Sequence, residues 1–225
     1  MNNIRLIGAC AAVLSTGIIA FAASVSAPGG PDPAALQVLN ALEQNYGHVN
    51  SIAGSFSHTL VDTVVKTEKK AEADFKLLKP NYFRIEFKGQ SVNVLQGQTF
   101  YRYEPATRNF TRTNVKQDVL SQDLGYMMLG FGAKTSEILK TYNVKSANGG
   151  KELVFTPRSA KSAYQEIVMQ LTADGKFPKK FTMKQDGTQV IVDLNTGSIS
   201  YPPLSPSAFQ PAANFPQGLK AVDTN

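Results

Sequence analysis

Apolar and polar residues alternate in the stretch KPNYFRIEFKG, residues 79–89. Beyond its proline, the side chains of Phe83, Ile85 and Phe87 share one face, and Tyr82, Arg84, Glu86 and Lys88 occupy the other. A period of two predicts a β-strand with one dry face. Three large apolar side chains can either pack into a solid core or line a cavity, and the alternation alone leaves both possibilities open.

The same period of two runs through residues 52–113, with turn signals between successive apolar runs, and it returns in residues 142–194. Such a series of hairpins predicts about eleven strands in an antiparallel sheet. The segment after Gly197 is rich in proline, which has no amide proton to donate to a central strand. We therefore expect that segment to wrap the surface or to form an edge.

Apolar residues with helical spacing precede the predicted strands. Asp32 is a good N-cap and Pro33 suits the first helical position, so a helix is predicted to begin here. Its apolar stripe is Leu36, Leu39, Leu42 and Tyr46, with Ala35 and Val38 at the margin.

A second helical pattern interrupts the strands at residues 117–132 and ends between Gly130 and Gly132, and a short helix follows from Thr135 or Ser136. Flexible methionines and flanking glycines suit a movable lid that repacks between empty and filled states. A helix docked permanently on the sheet is the alternative. The predicted lid residues are Leu124, Met127, Met128, Leu129 and Phe131. The pattern as a whole predicts a mainly β fold with helices, an unclosed antiparallel barrel capped by a helical lid.

Residues 1–27 contain one early basic residue, Arg5, then an apolar run and small residues, which is typical of a secretory signal peptide. A retained membrane anchor is the alternative. Removing this segment also removes Cys10, the only cysteine, and lowers the formal charge from +6 to +5. Residues 28–225 would then form one domain, a monomer in the periplasm. An exported chain with scattered charge is not expected to bind nucleic acid.

Catalytic groups are hard to assign. The two histidines, His48 and His58, have no metal-ligand spacing, and the carboxylates are scattered over polar faces and turns. We therefore expect a binding protein without cofactor or metal, although a secreted hydrolase with an apolar pocket remains an alternative. A curved sheet of this size encloses more volume than its side chains easily fill. The candidate cavity residues are Phe75, Leu77, Phe83, Ile85, Phe87, Phe155, Met169 and Phe181.

Several segments resemble the LolA family, the periplasmic carriers of outer-membrane lipoproteins. They are HVNSIAGSFSHT, LLKPNYFRIEF, VLQGQTFYRYEP, LVFTPR and FPQGLKAVD, in this order. The resemblance implies an unclosed barrel whose cavity takes the acyl chains of lipoproteins. It also implies an ATP-driven donor complex like LolCDE at the inner membrane and a receptor like LolB at the outer membrane.

Two positions are carried over from the family. Phe83 matches a phenylalanine that faces the cavity and governs the acceptance of cargo. Lys79 falls on an arginine that bonds to the lid backbone, and this is a departure because lysine offers a point charge in place of a planar fork. A carrier or sensor of another lipid on the same fold, similar to LolB or RseB, is therefore kept as an alternative.

Overall fold

The computed structural model describes residues 31–114, 131–160 and 162–224. The predicted signal peptide lies outside these residues, as do four of the five predicted lid residues, Leu124, Met127, Met128 and Leu129. Phe131 is the one predicted lid residue among the described residues.

Helix α1 spans Pro33–Tyr46 and begins as predicted. The carboxylate of Asp32 accepts a hydrogen bond from the amide of Ala34 at 2.9 Å, and Pro33 occupies the first turn. Ala35, Leu39 and Leu42 are the buried positions of the helix, whereas Leu36 is only half-buried. The apolar stripe is therefore rotated slightly from its predicted centre.

Twelve strands form one sheet, in the order β12-β6-β5-β4-β3-β2-β1-β11-β10-β9-β8-β7. All neighbouring pairs are antiparallel except β12 and β6, which are parallel, and the sheet does not close. The eleven predicted strands are present, and β12 is additional. The bounds are β1 Ser51–Asp62, β2 Thr67–Leu78, β3 Tyr82–Phe87, β4 Ser91–Gln96, β5 Thr99–Glu104, β6 Asn109–Asn114, β7 Tyr142–Ala147, β8 Glu152–Pro157, β9 Glu166–Leu171, β10 Pro178–Gln185, β11 Thr188–Leu194 and β12 Val222–Thr224.

Two short α-helices and three 3₁₀ helices, Asn148–Gly150, Thr196–Ser198 and Pro206–Phe209, complete the described elements. Helix α2 spans Thr135–Thr141, where a short helix was predicted, and α3 spans Pro211–Asn214 in the proline-rich segment. Within the described ranges, no helix is both long and apolar enough to cross a bilayer.

One face of the sheet, called the inner face here, supplies the larger hydrophobic cluster. Strands β1 to β4 and β7 to β11 contribute to it, together with α1, α2 and Phe131. Strands as far apart in the sheet as β4 and β7 contribute to one cluster because the sheet curves around it. The predicted shape of an unclosed barrel is therefore confirmed.

The opposite, outer face carries a second cluster that the alternation did not predict. The C-terminal segment places Phe209 and Phe215 on the outer face of β3 to β6, against Leu78, Val94 and Phe110. Tyr82 of β3 belongs to this side, with its ring centroid 5.7 Å from that of Phe209. The prediction that the strand around Phe83 has only one dry face is therefore wrong at Tyr82, because the proline-rich segment covers the outer face.

Candidate functional site

The inner face around β3 consists of apolar rows that cross several strands. Phe83 of β3 pairs with Leu77 on β2 and with Leu95 on β4, and Leu95 pairs in turn with Phe100 on β5. Directly opposed residues point to the same face of a sheet, so these side chains form one continuous row. The rings of Phe83 and Phe100 stack with centroids 6.3 Å apart.

The eight predicted cavity residues all belong to the inner cluster, but their burial differs between the two halves of the sheet. Phe155 and Met169, on β8 and β9, are 0% exposed, and Phe181 on β10 is 1% exposed. Phe83 is 7% exposed on β3, and Phe87 and Phe100 are only partly buried. Phe75, Leu77 and Ile85 lie between these extremes, all buried. The half formed by β8 to β10 is packed throughout, and the half formed by β3 to β5 is less fully covered.

Phe131, the one predicted lid residue that is described, is buried on the inner face. Its ring stacks on Phe75 with centroids 6.2 Å apart and lies 5.7 Å from the ring of Phe177. Phe177 in turn meets Tyr46 at the end of α1, at 5.5 Å and nearly at right angles. The end of the predicted lid is therefore anchored by aromatic contacts to the sheet and to α1.

Gly132 follows at a point where the chain touches the end of α1. Its φ of +76° lies in the left-handed region, which glycine adopts without strain. A Cβ atom at this position would come within 2.4 Å of the backbone at Tyr46 and Gly47. Only glycine combines this backbone conformation with this close approach.

Lys79 reaches the same end of α1 from the other side. Its Nζ donates to the carbonyl oxygen of Tyr46 at 2.9 Å and to that of Gly47 at 3.4 Å. These carbonyls end a helix, where a cation is favoured. Burial lowers the pKa of Lys79 from its ordinary value of 10.5. Lys79 thus joins the end of β2 to α1 through backbone oxygens. Its predicted bond to the backbone of the lid, residues 117–132, stays a prediction, because most of that segment lies outside the described residues.

Glu43 connects α1 to α2. Its Oε2 accepts a hydrogen bond from the amide of Thr135 at 2.9 Å, which caps the first turn of α2. This hydrogen bond holds the pKa of Glu43 below its ordinary value of 4.5. The sequence could not reveal this pair, because the two residues are 92 positions apart.

The inner face also carries a group of polar side chains that the sequence pattern did not predict. Ser91 and Asn93 of β4 lie on the inner face because they pair with Phe87 and Ile85. Arg102 of β5 pairs with Asn93 on one side and with Thr111 of β6 on the other. The guanidinium of Arg102 also forms an ion pair with the carboxylate of Glu104 at 2.8 Å. We call this set the inner polar corner; its members are Ser91, Asn93, Arg102, Glu104 and Thr111.

His58 lies on the inner face of β1, near Phe87. The two ring centroids are 5.4 Å apart and the rings are nearly perpendicular. Burial lowers the pKa of His58 from 6.5, which favours the neutral imidazole. His58 and Phe87 thus form an edge-to-face contact of the kind common in apolar surroundings.

A metal centre and a surface cleft are the other kinds of site to consider. Over the stretches that the structure describes, no three histidine, cysteine or acidic side chains come together in a way that could hold a metal ion. A cleft of about 430 Å³ does exist beside the end of α1, between Asn45, Asn50 and Tyr201. None of the predicted cavity residues lines this cleft, and the apolar inner face is the better candidate for a functional surface.

Comparison with known proteins shows the family to which this fold belongs. The family model described as "Outer membrane lipoprotein carrier protein LolA" matches residues 47–212. The chain belongs to the LolA family. The matched range includes LLKPNYFRIEF and LVFTPR, whereas α1 and the end of the C-terminal segment lie outside it.

Relatives of this LolA-family chain share its length but little of its sequence. A protein of Yersinia pestis named outer-membrane lipoprotein carrier protein is 24% identical over 184 residues, which cover 81% of this chain and 86% of the relative. A protein of the same name from Glaesserella parasuis is 24% identical over 189 residues, 83% of this chain and 86% of its own length.

Solved structures similar to this LolA-family chain are more distant still. A LolA superfamily protein from Nitrosomonas europaea is 11% identical, with a TM-score of 0.44, and covers 78% of this chain and 97% of its own. The lipoprotein LppX from Mycobacterium tuberculosis is 10% identical, with a TM-score of 0.42, and covers 77% and 98% of the two chains. Similarity at this level carries no weight for function.

Proposed function

We propose that this protein binds the acyl chains of lipoproteins on its inner face and carries them through the periplasm from the inner to the outer membrane. The observation that carries the proposal is the uneven burial of that face in a LolA-family chain. Phe155 and Met169 in one half of the face are 0% exposed, whereas Phe87 and Phe100 in the other half are only partly buried.

The two halves have different roles in this proposal. Strands β8 to β10 form the permanent core that keeps the sheet curved, and the apolar rows of β3 to β5 receive the acyl chains. Among the predicted cavity residues, Phe83, Ile85 and Phe87 are then in direct contact with cargo. Phe155, Met169 and Phe181 pack the other half of the same inner face and hold the sheet in its curved shape.

Transfer of cargo by this route requires no covalent step. Each methylene group that leaves water for the inner face contributes about 0.8 kcal/mol, so a few acyl chains supply ample affinity. Displacement of Phe131 from Phe75 would uncover the inner face, and its return would cover the cargo. The protein therefore acts as a carrier and not as an enzyme.

The partners in this proposal follow from the chemistry of the cargo. Triacylated or diacylated lipoproteins leave a membrane only if energy is supplied, so an ATP-driven inner-membrane complex similar to LolCDE is the proposed donor. A receptor similar to LolB at the outer membrane is the proposed acceptor. Export by the predicted signal peptide would place the carrier between them.

The direct test is to purify the protein from the periplasm and identify bound molecules by mass spectrometry. We expect the purified protein to contain bound lipoproteins. We also expect it to release lipoproteins when it is added to inner-membrane vesicles. Phospholipid in place of lipoprotein would favour a carrier of another lipid, and a protein that is empty and releases nothing would contradict both proposals.

The variant Phe83→Glu tests whether the inner face at β3 is a cavity wall. Phe110→Glu is a matched control, because Phe83 and Phe110 are both 7% exposed but lie on opposite faces of the sheet. A carboxylate is tolerated better in a wall that water can reach than in a packed core. We expect Phe83→Glu to abolish binding of a fluorescent acyl probe with a smaller loss of melting temperature than Phe110→Glu. The reverse order of melting temperatures would identify Phe83 as core.

A further inference from the structure

The binding of acyl chains does not by itself explain why the inner polar corner carries polar side chains. We propose that it binds the uncharged head of the acylated cargo, and that Asn93 accepts a hydrogen bond from the amide N–H that links an acyl chain to the first residue of a lipoprotein. This inference rests on the proposed carrier function and assigns a specificity-determining residue to it.

Asn93 is the residue that points to a ligand. Its Oδ1 is shielded from solvent and has no hydrogen-bond partner among the described residues. Among the described residues, its Nδ2 makes one long contact, 3.5 Å from Ser91 Oγ. A buried carbonyl oxygen without a donor is costly, so a ligand that brings a donor is favoured there.

The position of Asn93 suits the head of an acyl chain. Asn93 pairs with Ile85, and the next residue on the same face of β4 is Leu95, which pairs with Phe83. An acyl chain that passes over Leu95 in the direction of β4 would therefore meet Asn93 next. The apolar row thus lies next to the inner polar corner, just as the acyl chain of an acylated peptide lies next to its amide.

The charges at the corner favour a neutral head. Arg102 is bonded to Glu104 at 2.8 Å, and Thr107 Oγ1 donates to the same carboxylate at 3.3 Å. Ser91 and Thr111 are uncharged, and His58 near Phe87 favours its neutral form because it is partly buried. A paired arginine and neutral neighbours suit an amide or an ester better than a phosphate or a free carboxylate.

The test compares two ligands that differ by one N–H group. N-palmitoylglycine methyl ester carries the amide donor, and in methyl palmitoyloxyacetate an oxygen atom replaces it. Both are measured by displacement of a fluorescent acyl probe from the purified protein. We expect the wild type to prefer the amide about tenfold, as one hydrogen bond to a buried acceptor provides.

Two variants of β4 complete the experiment. Asn93→Leu is expected to bind both ligands equally, while Gln96→Leu, on the outer face of the same strand, keeps the preference of the wild type. Circular dichroism verifies that both variants fold. Equal affinities in the wild type, or a preference that survives in Asn93→Leu, would overturn the inference and leave the carrier proposal standing. Failure of every acyl ligand to bind the wild type would overturn both.

Discussion

The partial burial of His58 predicts that the stability of the fold depends on pH. Burial lowers its pKa below 6.5 in the folded state, so the unfolded chain takes up a proton at a pH where the folded chain does not. The free energy of unfolding therefore falls as the pH drops below about 6.5. We expect His58→Gln to flatten this dependence in urea unfolding between pH 7.5 and 5. His48→Gln is the control, since His48 is the only other histidine and is exposed; an unchanged slope in His58→Gln would contradict the prediction.

At the same scale, Phe83 and Asn93 differ in how far the sequence could reveal them. Phe83 is recognisable because it lies in a strict alternation and in a segment that resembles the family. Asn93 lies in SVNVL, where alternation favours Val92 and Val94 as the dry side. Both faces of β4 are in fact covered, because Val94 packs under the C-terminal segment and Leu95 under the inner cluster. A pattern with two covered faces cannot show which of them holds the polar residue.

Among the elements, α1 and α2 depend on each other through Glu43. The carboxylate supplies the acceptor that α2 lacks within its own first turn, because Lys134 at the N-cap makes no side-chain hydrogen bond. We expect Glu43→Ala to speed hydrogen exchange of the amides in α2, and Glu43→Gln to do so less because it keeps an acceptor. Glu137→Ala is the control, as it removes an exposed carboxylate that pairs only with Lys140. Equal exchange in Glu43→Ala and the control would show that the cap is unimportant.

Helices and strands were predicted well where the residues of a single segment determine the structure. Asp32 and Pro33 locate the start of α1, yet Asp32 also accepts from the amide of Ser146 at 2.8 Å. That contact fixes the helix against β7, and the small Ala35 is buried where Leu36 was expected. Strand β12 has three residues and forms only because β6 offers an edge, with Arg112 and Asp223 bonded at 2.7 Å. Such long-range pairings leave no local pattern.

Viewed as a whole, the molecule uses one sheet to separate two apolar clusters. The inner cluster includes the proposed acyl-binding rows, and the outer cluster is formed where the C-terminal segment crosses β3 to β6. A carrier whose inner face must open needs stability from a part that does not open. The outer cluster can supply it, because the proposed binding site for cargo lies on the other face.

Stability and cargo binding should therefore separate in variants of the two faces. Phe209 on the outer face is 0% exposed and Phe181 on the inner face is 1% exposed, so Phe→Ala at either position should lower the free energy of unfolding by about 3–5 kcal/mol. Urea unfolding followed by circular dichroism measures this loss, because the chain has no tryptophan. We expect the folded fraction of Phe209→Ala to bind the acyl probe as the wild type does, and Phe181→Ala to bind it more weakly because the wall of the cavity has lost its support. Equal weakening in both variants would mean that the sheet transmits changes from one face to the other.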